Sequence, residues 1–493
     1  MGRITSHIRL HSPPEPPIDR VPVEILCRIF LILLHSPPPG FALPDFGPYH
    51  RSRALPTVIA VCRRWRSTAS ECAVLWANIA FTTTLLSTVR GAALFLSRSK
   101  DAMLSVHIWD PIRPAGDPEV EKASRELIEA IASQSHRISF CELSSSSPGF
   151  WRNWTLPAPY LRKLVVKGHC LKASPVFGGV IPRLGSLNSL NYTPWPLGNY
   201  TALRKADLRN YERRASLTTL LGALQGCETL EKLTLHGYAN LTQDRLTPAP
   251  ILLPRLHRIN LFSCNSALIL EYLDVPTLVG PIVIYDTNPP QHILQCLPSI
   301  RRRKPYLDGI EQLHVVFEAS LGIYSVAGCR EGGRTSFYIR AQGVRDQARW
   351  RWTRSSIEAV ASCVQFSSIR TLTLVTDSAT IPWAVWLPNL SHMRRLSVSS
   401  PRSEDILRAL LTSSPEDGSP FCPSLRSLAI YRCGDYGVID HVGLMELVLH
   451  RYWVGRPIRR VMLHRDEWEW IQQLDQDGSW VFLAESQCKQ FDS

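Results

Sequence analysis

One phrase recurs along most of this chain and constrains its fold more than any other feature. It is an apolar residue, two polar residues, an apolar residue, one variable position and another apolar residue. Copies occupy Leu161–Val166, Leu203–Leu208, Leu230–Leu235, Leu256–Leu261, Ile310–Val315, Ile369–Leu374, Met393–Val398, Leu425–Ile430 and Ile458–Leu463. In a chain that is 45% hydrophobic, the apolar spacing alone also arises by chance. The context discriminates. Both middle positions are polar in all nine copies, and several copies follow a proline, as at Pro254, Pro388 and Pro423. Several close on a cysteine or turn residue, such as Cys264 and Cys433. Starts at 203, 230 and 256 lie 27 and 26 residues apart, and 369 to 393 is 24. Weaker copies at Met103, Leu187 and Val279 fall in the gaps. Alternation over the last three positions has the period of a strand, so each copy predicts one short strand.

A period of about 20–29 residues with one strand in each repeat resembles the leucine-rich repeats. That resemblance implies that the fourth and sixth positions point inward and stack on the next repeat, while the residue between them points out onto a concave face. Between strands, Leu217–Leu224 and Ile406–Leu411 carry helical periodicity for the convex side. The expected fold class is therefore α/β, an irregular leucine-rich-repeat-like solenoid over residues 81–470. The alternative is a non-repeating α/β domain, because the spacing drifts from 24 to 59 residues. The drift is largest around an insertion near 317–356. There Leu321 to Gly343 predicts two strands joined at Glu331-Gly332-Gly333, followed by alternating basic and aromatic residues from Arg345 to Arg354. That run is either a binding loop or, more plainly, a strand with Trp350 and Trp352 inward and arginines solvated. Arg301-Arg302-Arg303-Lys304 reads as a basic turn or a localisation signal. Exposed strand positions Arg162, Lys163, Lys232, Arg258, Arg394 and Arg395 are candidate target-binding residues, and their charge favours acidic or phosphorylated partners.

The N-terminal region has a different period. After a Pro-rich leader over residues 1–17, Ile25, Leu26, Ile29, Phe30, Leu33 and Leu34 form a broad apolar stripe on one helix. Pro22 suits its first turn, and Ser36-Pro37-Pro38-Pro39-Gly40 stops it. Leu55, Val58, Ile59, Cys62, Trp65 and Ala69 recur at helical intervals, and Ala73–Ala77 adds a third piece. Three short helices bury little core by themselves. Their surplus apolar surface should meet either another protein or, as a helical cap, the domain that follows.

Three phrases in order carry a second resemblance. Ile18-Asp19-Arg20-Val21-Pro22-Val23-Glu24-Ile25-Leu26, then Val61-Cys62-Arg63-Arg64-Trp65-Arg66, then Leu75-Trp76, resemble an F-box. The match is to the fungal F-box-like form, with a Leu-Pro-x-Glu-Ile-Leu opening, a Val-Cys-Arg-x-Trp helix and a Leu-Trp. It covers residues 18–80; Val21 replaces the commoner leucine, and the first loop is longer than in a minimal F-box. The resemblance implies a three-helix module docking on a Skp-type adaptor and, through it, a cullin–RING ubiquitin ligase. Its contacts would come from Pro22, Ile25, Leu26, Ile29 and Phe30, with Val61, Cys62 and Trp65 partly in the module core and partly at that surface. Apolar anchors at helical spacing are the means by which a helix fills a partner's groove.

Composition narrows the alternatives. The net charge is +13, but only nine of 55 basic residues are lysine and the arginines are scattered, so nucleic acid is not the expected partner. The longest apolar run, Val23 to Leu34, is broken by Glu24 and Arg28 and is short of the roughly 20 residues a membrane span needs. Thirteen scattered cysteines without a Cys-x-x-Cys pair favour reduced thiols, and the expected location is the cytoplasm or nucleus. No phosphate loop, nucleophile elbow or His-Glu-x-x-His helix occurs, and Asp475-Gln476-Asp477-Gly478 lacks the acidic twelfth residue of a calcium loop, where Ala484 stands. His441 and His450 lie in apolar stretches as structural residues. No catalytic residue, metal or cofactor is expected. Three functions stay open: a substrate-recognition subunit of an SCF-type ligase whose solenoid holds a target protein, a leucine-rich-repeat scaffold outside any ligase, and an enzyme whose carboxylates converge only in three dimensions. Residues 471–493 read as a tail.

Overall fold

The computed structural model of the chain describes residues 20–35, 55–111, 117–168, 176–191, 197–210, 216–239, 241, 249–276, 282–286, 296–297, 309–318, 323–330, 335–342, 366–377, 381, 383–413, 420–431 and 439–463. The runs 301–304 and 345–354, the Glu331-Gly332-Gly333 turn, the leader and the tail lie outside the described residues. The chain falls into two compact units, residues 1–195 with 199–202, and 196–198 with 203–493.

In the first unit, α1 (Val23–His35), a helical stretch over 55–60, α2 (Arg63–Glu71) and a 3₁₀ turn (Ala73–Trp76) precede five strands. These are β1 (Asn78–Thr82), β2 (Leu104–Asp110), β3 (Ile138–Ser145), β4 (Lys163–Lys167) and β5 (Ser186–Leu190), paired in parallel in chain order. Helix α3 (Leu86–Arg98) links β1 to β2, and α4 (Pro118–Ser133) links β2 to β3. The local chemistry sets these boundaries. Cys62 caps α2, its sulfur accepting from the Trp65 N–H at 3.4 Å. Asp117 caps α4 at 2.9 Å with Pro118 in the first turn, and Glu119 and Glu121 sit at the positive end of the helix dipole.

Leu26, Phe30 and Leu34 of α1 pack with Leu55, Val58, Ala69, Leu75 and Trp76 into one cluster. Trp76 extends it to α3: its ring lies 5.0 Å from Phe95, Arg98 sits 4.5 Å above it, and its N–H donates to the Ala69 carbonyl at 2.7 Å. The Arg64 guanidinium donates to the Val21 carbonyl and ties the start of α1 to α2. The helical segment is thus built onto the following α/β layers. The boundary expected at residue 80 falls inside β1, which is paired along its length with β2.

The second unit carries β6 (Lys205–Arg209), β7 (Lys232–His236), β8 (Ile251–Leu252), β9 (Arg258–Phe262), β10 (Leu273–Asp274), β11 (Ile282–Asp286), β12 (Gln312–Glu318), β13 (Ile323–Cys329), β14 (Thr335–Gln342), β15 (Thr371–Thr376), β16 (Arg395–Ser399), β17 (Ser427–Tyr431) and β18 (Arg460–Met462). The main sheet runs β6-β7-β9-β11-β14-β13-β12-β15-β16-β17-β18, and β8 pairs separately with β10. Pairing is parallel except at β12–β13 and β13–β14, where the chain folds back so that β14 lies parallel to β11. Helices α5 (Leu217–Leu224), α6 (Ser403–Leu411) and α7 (His441–Trp453) lie in the connections.

Every one of the nine phrases begins a strand at its third residue. The first, fourth and sixth positions are buried and in register: Ala206, Leu233, Ile259 and Ile282 form one ladder, and Leu208, Leu235, Leu261 and Ile284 the next. Leu372, Leu396, Leu428 and Val461 continue the pattern beyond the hairpin. The fifth position alternates to the other face but is not open: Val165, Thr234, Asn260 and Ala429 are buried there. Strands about 4.8 Å apart let the longer side chains at the third and seventh positions cover the shorter ones between them. The fold is mixed α/β, with several helices and a large multi-stranded sheet.

Candidate interaction surfaces

Helix α1 carries two apolar stripes. Leu26, Phe30 and Leu34 recur every four residues and face the cluster described above. Pro22, Ile25, Ile29 and Ile32 recur at intervals of three and four on the adjoining stripe, which faces outward. Ile25 is 48% exposed, Ile29 37%, Ile32 59% and Leu33 49%. The expected adaptor contacts therefore divide. Pro22, Ile25 and Ile29 lie on the outward stripe. Leu26 and Phe30 do not belong with them, and that assignment is corrected: both are wholly buried, and Phe30 packs 4.9 Å from the Trp65 ring. Val61 is exposed, while Cys62 and Trp65 are half-buried, the first spent on capping α2 and the second on Phe30. Val23, Ile32 and Leu33 are outward apolar residues that were not among the eight expected contacts. The spacing signals that the stripe is too wide for one face, since six apolar residues as three adjacent pairs on a helix span more than one, but it does not tell which half is core.

Burial, reinforced by a hydrogen bond to Cys72, pushes the Cys27 thiol up to about 11, so it stays protonated at neutral pH. On the sheet of the same unit, Ser105, His107, Glu142 and Lys167 form a network. His107 Nδ1 lies 3.1 Å from Glu142, Lys167 Nζ 2.7 Å from the other carboxylate oxygen, and the Ser105 hydroxyl 3.3 Å from His107 Nε2. The hydrogen bond with His107 draws the Glu142 carboxyl down to about 2; burial opposes this, and Lys167 adds to it. Hydroxyl, imidazole and carboxylate in this order can activate a serine. Here Lys167 pairs with the carboxylate oxygen that His107 leaves free, so Glu142 joins an ion pair and an imidazole hydrogen bond at once.

The outward face of the second unit's sheet holds the remaining candidates. At the third position, Lys205, Lys232 and Arg258 are in register on β6, β7 and β9. Among the described residues none of the three has a carboxylate within ion-pair distance; Arg258 only reaches Asn260 at 3.4 Å. At the seventh position of the same strands and of β11 stands an aromatic ladder. His236 and Phe262 stack at 4.2 Å, Phe262 and Tyr285 at 4.9 Å, and Tyr338 of β14 closes the end edge-on at 5.8 Å. Burial keeps the His236 pKa below its ordinary value against the pull of Asp207, which favours the neutral ring in the stack. Asp207 is engaged by both ends of the Arg209 fork, at 3.1 and 2.9 Å. Between the rows, the Asn260 amide donates to the Thr234 hydroxyl at 3.2 Å on a buried floor.

Of the expected target-binding residues, only Lys232 and Arg258 are thus brought side by side. Arg394 and Arg395 lie at the start of β16, and exposed Arg426 and Arg459 stand just before β17 and β18. Their backbones are held by a regular ladder, each second-position carbonyl accepting two N–H groups from the next strand, as at Arg394 with Arg426 and Ser427. Arg162 and Lys163 belong to the first unit, with the Lys163 ammonium 5.3 Å over the Phe140 ring. The aromatic ladder was missed, although extending each phrase by one residue gives His236, Phe262 and Tyr285 in three consecutive strands of the sheet.

A cleft of about 400 Å³ lies between α5 and β8, lined by Leu221, Gly222, Glu228, Ile251 and Leu252 among others. Among the described residues that line it, Glu228 is the one ionisable side chain. Among the described residues, no three His, Cys, Asp or Glu side chains are grouped to hold a metal, and no helix is long and apolar enough to cross a membrane. Comparison with protein families and with curated proteins gives no match for this chain.

Proposed function

We propose that this chain is a substrate-recognition subunit of an SCF-type ubiquitin ligase. Its F-box-like helices bind a Skp-type adaptor, and its strand ladder, read as a leucine-rich-repeat-like solenoid, binds a target protein. One observation carries the reading: α1 keeps a second apolar stripe, Pro22, Ile25, Ile29 and Ile32, outside its own core. Single apolar side chains on a surface need no explanation, but a continuous stripe at helical spacing fits a partner's groove. In this role the chain performs no bond chemistry. It raises the effective concentration of target near a ubiquitin-charged enzyme.

The second reading, a scaffold outside any ligase, is favoured by the Trp76–Phe95 packing, which makes the helices an integral cap on the first unit. Co-purification of the full-length chain with a Skp-type adaptor and a cullin separates the two. Capture that disappears in the Ile25→Asp, Ile29→Asp double variant supports the ligase reading. A folded wild-type chain that captures neither protein favours the scaffold.

A further inference from the structure

The recruitment role just proposed leaves the partner's chemistry open, and the outward face of β6, β7, β9 and β11 narrows it. Three cations, Lys205, Lys232 and Arg258, with no carboxylate at ion-pair distance among the described residues, form one rail, and His236, Phe262 and Tyr285 form a second rail four residues further along the strands. At about 3.3 Å per residue the rails are about 13 Å apart. An α-helix with its side chains is about 10–12 Å across, so one helix laid across the strands touches both rails, whereas one extended strand does not. The spacing along the cationic rail points the same way. Neighbouring strands repeat about every 4.8 Å. Successive turns of a helix repeat every 5.4 Å, a mismatch of about 0.6 Å per step that flexible lysine stems absorb. Alternate residues of an extended chain repeat at about 6.6 Å and lose register by nearly 4 Å over three cations.

The cations do not converge on one point, since Arg258 is turned along its own strand toward Asn260. A row of monoanions suits them better than a single dianion. The aromatic rings stack face to face, so they present edges rather than faces outward. Ring faces that are already occupied leave no platform for nucleobases, while edges accept aliphatic side chains.

We propose that this face receives an acidic amphipathic helix of the recruited protein. Asp or Glu residues on three successive turns would meet Lys205, Lys232 and Arg258, and an adjoining apolar flank would lie on His236, Phe262 and Tyr285. The inference rests on the recruitment reading, but its test is separable from it. A displayed library of helix-forming peptides, randomised at exposed positions, is selected against the full-length protein. Expected is enrichment of acidic residues at i, i+3 or i+4 and i+7 beside Leu, Ile or Phe. The Lys205→Glu, Lys232→Glu double variant should weaken a selected peptide at least about tenfold, and Phe262→Ala should weaken it several-fold. Arg394→Glu with Arg395→Glu makes the same change in net charge elsewhere on the sheet and should leave affinity within about twofold. The proposal fails if no helical peptide is enriched, if enriched peptides alternate with a period of two, if both charge-reversal pairs act equally, or if a thymidine oligonucleotide displaces the peptide from the same residues. Adaptor capture by the rail variants is measured alongside. Its retention shows that a failure here belongs to the helix proposal and not to the ligase reading.

Discussion

Replacing Ile25 and Ile29 by aspartate tests the adaptor face most directly, because the two stripes of α1 predict opposite behaviour. Full burial of an isoleucine side chain contributes about 1.5–3 kcal/mol. With 48% and 37% of these residues exposed, docking has about half of that left to gain at each, about 1–2.5 kcal/mol together. An aspartate at either position would also be buried without a partner, adding about 1–3 kcal/mol each. The double variant should therefore lose about 3–8 kcal/mol of adaptor affinity, a hundredfold or more. Its fold should lose only the share of the two side chains already buried, about 2–3.5 kcal/mol together, since isoleucine and aspartate differ little in helix propensity and neither site is in the core. Leu26→Ala should do the reverse. Its side chain is wholly buried in the α1 cluster, so the change costs about 2–5 kcal/mol of folding stability and affects binding only through unfolding. The assay pairs calorimetric titration of the full-length chain with a purified Skp-type adaptor against thermal denaturation of each variant. An Ile25→Asp, Ile29→Asp protein that is folded at the assay temperature and binds the adaptor within threefold of wild type would refute the assignment of this stripe.

The remaining predictions concern stability. Glu142 has its folded pKa drawn from 4.5 to about 2, so its contribution is present above the unfolded value and is lost as pH falls from about 4.5 toward 2. Allowing for solvent screening, Glu142→Gln should cost about 1–2 kcal/mol at pH 7, and the variant and wild-type urea midpoints should converge near pH 2. A Cβ at Gly168, just past β4, would stand 2.0 Å from the Ser145 carbonyl oxygen, so Gly168→Ala should destabilise by about 2 kcal/mol or more in the same assay. Gly222 in α5 has open space around it, and Gly222→Ala should instead stabilise by about 0.5–1 kcal/mol. Arg451 is wholly buried in α7, with its guanidinium on the Cys422 carbonyl at 3.1 Å and on that of Phe421. Arg451→Ala leaves a cavity and two carbonyls without this donor, and should cost about 3 kcal/mol or more by thermal unfolding.

Where each strand begins was legible in the amino-acid order. In Leu230-Glu-Lys-Leu233-Thr-Leu235, period-two alternation fixes which residues enter the core once one face is buried, and a slip of one residue would expose all of them. Stacking of like positions followed, because parallel neighbours in register place Leu233 beside Ile259 and Leu235 beside Leu261. The two halves of α1's stripe were not separable by pattern alone, because Ile25 and Leu26 are equally apolar. Only the packing of Leu55, Val58 and Trp76 against one side decides which is core. The return of β13 and β14 between β11 and β12 was equally beyond local reading, since which strand a hairpin joins depends on which edge is free in space. Lys205, Lys232 and Arg258 became neighbours for the same reason: hydrogen-bonded strands about 4.8 Å apart bring together residues 26 or 27 positions distant in the chain. Local alternation set the faces of each strand, and long-range pairing decided what those faces present.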